Sequence, residues 1–373
     1  MSGPVTYHLG GFPPQSLDWS RLIPLLGRAS AALARYDGLV TAMPNAAVLL
    51  SPLTTQEAVL SSKIEGTNVT MAEVLEIEAG AVENVAEPKR ADAEEIRNYR
   101  RALSFAAEAV RGRGLTPHLL RETHALLMDG VRGRNMTPGA FRTEQNWIGK
   151  AGCRVEVAIF VPIPQHLLGA GLEAWARYVA SVDEPDQLVQ LAIIHAEFEA
   201  LHPFNDGNGR LGRMLIPLFL HARGILGGPS FYVSGYFEQR RDEYIERLRA
   251  ISRDGEWTGW VGFFLRALIE QAADNQKKAE LILELHQRIQ QQVADLTRSQ
   301  FAPRAVSFMF ARPIFSSSHF VDKADIPRET AHRILRVLRD DGVLTALRQG
   351  AGRRASIYAF PELLNIAEGR TFL

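Results

Sequence analysis

Apolar residues recur at helical spacing along most of this chain, and that pattern limits the fold more than any other feature. Helix start signals accompany it, since Thr70 stands three residues before Glu73 as in a capping box, and Pro117 follows Thr116. The predicted helices include residues 90–113, 116–128, 164–181, 185–201, 209–222, 238–252 and 256–297. The last of these is long enough that we expect it to be broken or kinked. The pattern as a whole predicts a mostly α fold.

Two stretches depart from the helical pattern. Proline and glycine are frequent between residues 132 and 164, and apolar residues alternate over Arg154–Val161, which predicts a short strand or hairpin arm. From Phe320 to Phe360, an arginine-rich helix precedes two short apolar runs around a basic turn, an order typical of a winged helix-turn-helix. We divide the chain into an N-terminal helical region (1–110), a central core with its following helices (111–297) and a winged-helix-like segment (298–373).

Charge and composition exclude several classes of protein. The 373 residues include 42 Lys plus Arg and 42 Asp plus Glu, so no global field draws the chain to nucleic acid or membrane. The single cysteine, Cys153, cannot form an internal disulfide. We find no signal peptide and no continuous apolar stretch of about 18 residues. These features predict a cytoplasmic protein without membrane contact.

The segment from His202 to Arg213 joins two predicted helices and concentrates residues suited to phosphate chemistry. Gly207 and Gly209 allow the backbone to approach a ligand closely where a helix begins, and free N–H groups there favour an anion. Arg210 and Arg213 are three residues apart, so they project from one face and suit a polyphosphate. The sequence therefore predicts an anion cradle at the start of this helix.

Two further residues of the segment suit catalysis. Asp206 is a hard oxygen donor that could hold Mg²⁺ against phosphates. The imidazole of His202 is the usual side chain for taking a proton near neutral pH. A base, a metal ligand and an anion cradle together indicate phosphoryl or nucleotidyl transfer.

The glycine spacing of Gly207, Gly209 and Gly212 also matches a dinucleotide-binding fingerprint. That fingerprint follows a buried strand, whereas the preceding Leu188–Leu201 has helical spacing. A purely structural turn would explain the glycines but not the histidine, the aspartate and both arginines together.

The segment His202–Arg213 resembles the motif of the Fic family, His-x-Phe-x-(Asp/Glu)-Gly-Asn-Gly-Arg-x-x-Arg, at every defined position. Residues 138–142 and 145–149 look like the family's approach to its flap, and residues 160–162 like the end of that flap. The resemblance covers roughly residues 1–290 and implies a Fic-type helical core with a small β-hairpin flap.

This resemblance implies a nucleotidyltransferase that moves AMP from ATP to a Ser, Thr or Tyr hydroxyl of a protein, including the chain itself. His202 would take the hydroxyl proton, and Asp206 would bind Mg²⁺. The α- and β-phosphates would lie against Gly207, Asn208, Gly209 and Arg210, and Arg213 would hold the γ-phosphate. An unaltered Gly-Asn-Gly portion favours AMP over phosphate or phosphocholine as the transferred group. The flap from Trp147 to Pro162 would add a strand to the target segment, although an ordinary surface hairpin is the simpler alternative.

Residues Ser61–Gly66 resemble the inhibitory motif of the same family, (Ser/Thr)-x-x-x-Glu-(Gly/Asn). The resemblance implies that Glu65 ends a helix beside the active site and pairs with Arg213, which could then not receive the γ-phosphate. The alternative is a helix cap that faces solvent. A second reaction also stays open, in which Glu65 positions a water and the chain removes AMP from a protein.

The C-terminal segment has two open interpretations. Arg333, Arg336 and Arg339 would share a basic face of one helix, which suits contacts with DNA phosphates in a DNA-binding regulator. The basic wing would carry Arg348, Arg353 and Arg354. Nearby aspartates and glutamates dilute this patch, so protein contact or homodimer formation is an equal alternative.

Overall fold

The computed structural model describes residues 3–81, 85–130, 137–150, 152–350 and 354–371. The helices are α1 (Trp19–Ala42), α2 (Ala46–Leu49), α3 (Ser51–Ile64), α4 (Met71–Glu78), α5 (Glu87–Arg113), α6 (Pro117–Leu127), α7 (Leu168–Ala180), α8 (Gln187–Leu201), α9 (Asn208–Ala222), α10 (Ser234–Gln239), α11 (Arg241–Asp254), α12 (Trp257–Thr297), α13 (Ala302–Ala311), α14 (Ser317–Lys323), α15 (Arg328–Asp340) and α16 (Pro361–Glu368). The strands are β1 (Val5–Thr6), β2 (Phe160–Val161), β3 (Ile314–Ser316), β4 (Thr345–Arg348) and β5 (Ile357–Ala359). The prediction of a mostly α fold is confirmed.

The capping box predicted at Thr70 is present in the structure. At the start of α4, the Thr70 side chain accepts a bond from the Glu73 N–H while the Glu73 carboxylate accepts one from the Thr70 N–H, as the sequence predicts. The expectation that the 256–297 helix is broken is wrong, because α12 runs without interruption for 41 residues. It contains no proline, and no glycine after Gly262, so nothing in its sequence opens the hydrogen-bond ladder.

The chain forms two compact units, each made of separate sequence segments. The first contains Met1–Asp37 and Arg97–Ala273, and the second contains Gly38–Ile96 and Asp274–Leu373. The chain passes between them within the long helices α1, α5 and α12. The division into segments 1–110, 111–297 and 298–373 stays a prediction.

The first unit is built around α8. Nearly every residue of this helix is buried, and a helix that is buried on all sides forms the centre of a core. Helices α7, α9 and α11 pack against it, and α6 packs against α9. The indole N–H groups of Trp175 and Trp260 donate to the α8 carbonyls of Ile194 and Ala192, at 3.0 and 2.8 Å. These contacts fix the helix that leads into the His202–Arg213 segment.

The second unit combines N-terminal helices with the C-terminal segment. Helices α2 and α3 pack against α13, α3 also packs against α16, and α4 lies against β3. The three strands form an antiparallel sheet in the order β3-β5-β4. The segment thus has the order helix, strand, helix, helix, strand, strand, helix, and its assignment as a winged helix-turn-helix stays a prediction.

The prediction of a strand over Arg154–Val161 is wrong for the first half of that range. Val155–Val157 form one turn of 3₁₀ helix, because their backbone bonds close locally, from the Val157 N–H to Arg154 O and from the Ala158 N–H to Val155 O, each at 3.1 Å. Only Phe160–Val161 is extended, and it pairs in parallel with β1. The hairpin is reduced to an antiparallel bridge between Ile148 and Phe160.

Within the described ranges, we find no helix that is both long and apolar enough to cross a membrane.

Candidate active site

His202 ends α8 in an unusual backbone conformation. Its φ is +46° and its ψ is 60°, the left-handed region, which costs a residue with a side chain about 1–2 kcal/mol. The His202 N–H still donates to Phe198 O at 3.1 Å, so the turn completes the helix while redirecting the chain. The imidazole therefore stands at the point where the core helix gives way to the loop.

The loop that follows is closed by Asn208, the first residue of α9. Its side-chain oxygen accepts the Phe204 N–H at 2.9 Å, and its amide N–H donates to Phe204 O at 2.8 Å. The Phe204 ring is fully buried and stacks on His124, with ring centroids 3.8 Å apart. This paired bonding holds the loop in one conformation, so the role of Phe204 is to anchor it.

His124 of α6 is a buried residue that holds the loop by hydrogen bonds, and no sequence signal predicted it. Its Nδ1 accepts the Gly139 N–H at 2.9 Å, so its Nε2 carries the proton and donates to Asp206 O at 2.9 Å. Burial lowers the pKa of His124 to about 4, which keeps the ring neutral and preserves this pair of bonds. No local sequence pattern distinguishes this histidine, because both partners lie far from it along the chain.

Arg142 is a second supporting residue, and its side chain is buried. The guanidinium donates to His202 O from Nε at 3.1 Å, to Glu144 O at 3.0 Å and to Ile163 O at 2.6 Å. No carboxylate in the described part of the chain pairs with it, and burial lowers the pKa of Arg142 to about 10. The side chain therefore stays charged near neutral pH and ties the loop that begins at His202 to Ile163, just after the flap.

The start of α9 has the geometry of an anion site. Gly207 precedes the helix with φ +77°, which is strained for residues with a Cβ, and a Cβ here would also displace the Met128 sulfur, 2.7 Å away. The first N–H groups of a helix have no partner within it and carry the positive end of its dipole. The conformation demanded by Gly207 thus aims the N–H groups of Asn208 and Gly209 out of the helix.

Asp206 lies beside these N–H groups. One carboxylate oxygen accepts the Gly207 N–H at 2.6 Å and lies 3.5 Å from the Arg210 guanidinium. The Asp206 side chain is 47% exposed, whereas that of Arg210 is buried. Arg213 is also buried, with 1% of its surface exposed. The structure therefore brings His202, Asp206, Asn208, Gly209, Arg210 and Arg213 onto one loop and the helix turns that flank it.

A buried histidine joins the two helices that carry the loop. His195 of α8 donates from Nδ1 to Gly212 O of α9 at 3.0 Å, and its Nε2 lies 2.9 Å from the Tyr244 hydroxyl. Complete burial lowers the pKa of His195 to about 3. A neutral ring bonded on both sides holds α8 and α9 in register beneath the loop.

The flap is supported by a strand from the far end of the sequence. β1 pairs with β2, and the residues after it are held by α8: the Tyr7 hydroxyl donates to Glu197 at 2.6 Å, and His8 Nε2 lies 2.9 Å from the same carboxylate. Burial raises the pKa of the Glu197 carboxyl, and the contact with His8 opposes that effect. This anchor was not predicted from the sequence.

Glu65, the residue expected to inhibit, belongs to the second unit. It caps the C-terminus of α3, Gly66 follows with φ +100°, and the Glu65 side chain is exposed. The helix end predicted at this motif is therefore present, and the pairing of Glu65 with Arg213 stays a prediction.

Two sequence models of known families match the chain. The model described as "Fic/DOC family N-terminal" matches residues 23–108, and the model described as "Fic/DOC family" matches residues 114–220. A curated relative, the "Probable protein adenylyltransferase" of Aquifex aeolicus, is 32% identical over 92 residues, which is 25% of this chain and 26% of the relative. The chain therefore spans only about a quarter of that relative's length.

Solved structures of similar fold cover more of the chain. A Fic family protein from Desulfovibrio desulfuricans G20 superposes with a TM-score of 0.59 at 21% identity, over 93% of this chain and 98% of its own. A Fic domain containing signaling protein from Bacteroides thetaiotaomicron superposes with a TM-score of 0.55 at 16% identity, over 69% of this chain and 97% of its own. At these identities the likeness concerns the fold. The two family matches extend over more than half of the residues, and the chain belongs to the Fic/DOC family.

Proposed function

We propose that this chain is a protein adenylyltransferase that moves AMP from ATP to a hydroxyl side chain of a protein, with Glu65 as its inhibitor. The observation that carries the proposal is the closed loop between α8 and α9. There the bonds between Asn208 and Phe204 hold a histidine, a carboxylate and outward N–H groups on one rigid turn. The Aquifex relative, described as a probable adenylyltransferase, supports the same activity.

The N-terminus of α9 supplies the phosphate site. Its outward N–H groups and dipole stabilise the negative charge of the α- and β-phosphates, and the loop is already in place, so little reorganisation is required during reaction. Arg210 lies next to the same turn and adds a fixed positive charge. Arg213 is the residue proposed for the γ-phosphate, and its near-complete burial means that it must become accessible before ATP binds productively.

The residues present fit a Mg²⁺ ion held mainly by substrate. Asp206 presents a half-exposed carboxylate, of which one oxygen accepts the Gly207 N–H. No group of three or more His, Cys, Asp or Glu side chains suited to a metal occurs in the described ranges. Mg²⁺ usually binds one or two carboxylates together with phosphate oxygens and water, so Asp206 alone is a sufficient protein ligand. When bound, the ion would neutralise charge on the phosphates.

His202 is proposed as the general base. It would take the proton from the target hydroxyl, the freed oxygen would attack the α-phosphorus of ATP, and the bond to the bridging oxygen of the β-phosphate would break to release pyrophosphate. The bond from Arg142 to His202 O orients the backbone that carries the imidazole. A base whose backbone is held in this way loses little entropy on reaching the reactive geometry.

The proposed inhibition places Glu65 against Arg213, so that the guanidinium cannot receive the γ-phosphate. Removing the carboxylate should therefore increase transfer. Glu65→Gln keeps the size of the side chain and removes its charge, whereas Glu65→Gly removes both. Glu78→Gly, at the last residue of α4, is a matched control because it also deletes a glutamate from a helix end in the same unit.

The experiment measures label transfer from α-labelled ATP with Mg²⁺ onto the chain itself and onto proteins of a cell extract. We expect label with Glu65→Gly and Glu65→Gln, little with wild type and Glu78→Gly, and none when His202→Ala is added. Label that does not depend on His202 would contradict the assigned base. If no variant transfers label, each is incubated with AMP-modified protein, and release of AMP would replace transfer with removal as the reaction.

A further inference from the structure

The exposed face of α15 carries a row of basic side chains. Ala331, Ile334, Leu335 and Leu338 are buried and hold the helix against its unit. Arg328, His332 and Arg336 are exposed, and their spacing of four residues places them in one line along the helix. We call these three residues the α15 row.

The α15 row differs from the basic face that the sequence predicts. Arg333 is exposed as well, but one N–H of its guanidinium donates to Thr297 O at 2.8 Å. Arg339 is paired with the adjacent Asp340 at 2.6 Å. In contrast, no carboxylate within the described ranges lies at ion-pair distance from Arg328 or Arg336. The guanidinium groups of Arg328 and Arg336 are therefore available to an external anion.

Acidic residues near the row are mostly engaged elsewhere. Asp325 pairs with Arg304 at 2.7 Å, and Asp341 accepts a bond from Gln292 at 2.8 Å. Glu329 stays exposed beside the row, and Asp322 is exposed in the last turn of α14. Lys323, at the last turn of α14, is exposed and adds a further positive charge close to the start of α15. The local surface is thus more cationic than its composition indicates.

The same surface lacks the apolar groups of a stable protein interface. The large hydrophobic side chains that are exposed in the described ranges lie at Leu9, Ile23, Trp147, Val157, Ile159, Val182, Leu281 and Leu296. None of these lies between residue 298 and residue 371. The centres of protein interfaces are enriched in aromatic residues and Met as well as Arg. This face offers arginine without large exposed apolar side chains, so a polyanion fits it better than a protein does.

The surrounding elements suit a duplex. α14 packs against α15 across the short Ala324–Pro327 turn, and the β4–β5 hairpin follows α15 directly. A helix with its side chains is about 10–12 Å wide, which matches the major groove of about 12 Å. Arginine also forms the commonest specific contact to guanine edges in that groove. We infer that the C-terminal segment binds double-stranded DNA, with the α15 row in the major groove.

This inference does not depend on the proposed transferase reaction. The test measures fluorescence anisotropy of a labelled duplex of roughly 30 base pairs and mixed sequence, nearly three helical turns, titrated with the full chain. We expect binding that weakens steeply between about 50 and 200 mM salt. Arg328→Ala/Arg336→Ala should weaken binding about tenfold or more and reduce the log–log salt slope by about 2, since two phosphate or base contacts are lost.

Arg28→Ala/Arg35→Ala is the matched control, because it removes the same charge from exposed positions of α1. It should bind DNA as wild type does, and so should His202→Ala. Circular dichroism confirms that each variant is folded. Equal binding by the row variant and the control variant would overturn the inference, as would binding that does not change with salt. A change of oligomeric state in the row variant without DNA binding by wild type would show a protein interface instead.

Discussion

The His202–Arg213 loop and the flap lie in the same compact unit but are held in different ways. The loop from His202 to Arg213 is fixed by buried side chains, including Asn208, His124 and Arg142, each of which bonds to its backbone. The flap is held by backbone bonds from Ile148 and by pairing with β1. It also exposes large apolar side chains, with Val157 71% and Trp147 42% exposed.

The difference corresponds to what each region must do under the proposed function. Groups that act on ATP need one geometry, and buried polar side chains with every bond satisfied specify one geometry. A segment that meets protein targets gains from main-chain bonding, because such bonds do not depend on the partner's side chains. The following substitutions test this contrast, beginning with the largest expected effect.

Phe204→Ala should lower the free energy of unfolding by about 3–5 kcal/mol, because it removes a fully buried ring that packs against His124 and Phe141. Trp147→Ala removes a larger but half-exposed ring from the flap and should cost less than half as much. Urea denaturation of both variants measures the difference. Equal losses would mean that the flap is packed as tightly as the loop, and the contrast would fail.

Arg142→Met should lower the free energy of unfolding by about 2–3 kcal/mol, since several buried carbonyl groups lose a charged donor. Arg142→Lys keeps the charge but cannot reach the same set of carbonyls with one ammonium group, so it should recover only part of the loss. Denaturant melts of the two variants check this order. Full recovery by lysine would show that charge alone matters at this position.

Lower pH should reduce the free energy of unfolding, because His124 must stay neutral to hold the loop. His124 has a pKa of about 4 in the folded chain and about 6.5 when unfolded, so the unfolded state binds a proton first as the pH falls. The contribution of His124 to the free energy of unfolding is complete above pH 6.5 and is lost between pH 6.5 and 4. At pH 5.5 the loss is about 1.4 kcal/mol. Burial gives His195 a shift in the same direction.

Urea unfolding of wild type, His124→Phe and His118→Phe at pH 7.5 and 5.5 measures this effect. His118 lies on the same helix with its side chain 71% exposed, so its variant should keep the wild-type loss. His124→Phe should show a smaller loss between the two pH values. The flap residues 147–162 contain no histidine, so a pH effect of this kind should not arise there.

Val157→Ser should change the free energy of unfolding by no more than about 0.5 kcal/mol, because the side chain already contacts water. Thermal melts compare it with wild type. A destabilisation of more than about 1 kcal/mol would indicate that the flap packs against something in solution, and the contrast with the loop would need revision.

The sequence predicted those parts of the site that depend on residues close together along the chain. The end of α8 and the start of α9 follow from the glycine at position 207 and from the polar run around it, and Glu65 ends α3 as the pattern predicts. Gly66 and Gly207 have positive φ values, which few residue types other than glycine adopt, so the residue type is informative there.

The supports of the site escaped prediction because their partners are distant in sequence. His124 bonds to Gly139 and Asp206, and Glu197 holds Tyr7 and His8. The alternation over Arg154–Val161 predicted a strand, but a strand requires a neighbour with which to form hydrogen bonds. The neighbour of β2 is β1, Val5–Thr6, which is more than 150 residues away in the sequence. No pattern within the alternating residues specifies that neighbour.

The packing of α3 against α13 and α16 affects how shortened versions of this protein should be read. A chain cut after residue 297 would lose both helices and with them two of the elements that pack against α3. The helix that presents Glu65 would then open more readily than in the whole chain. High transfer activity in such a fragment would therefore result from the opening of α3. It would not be evidence that a ligand regulates the whole chain.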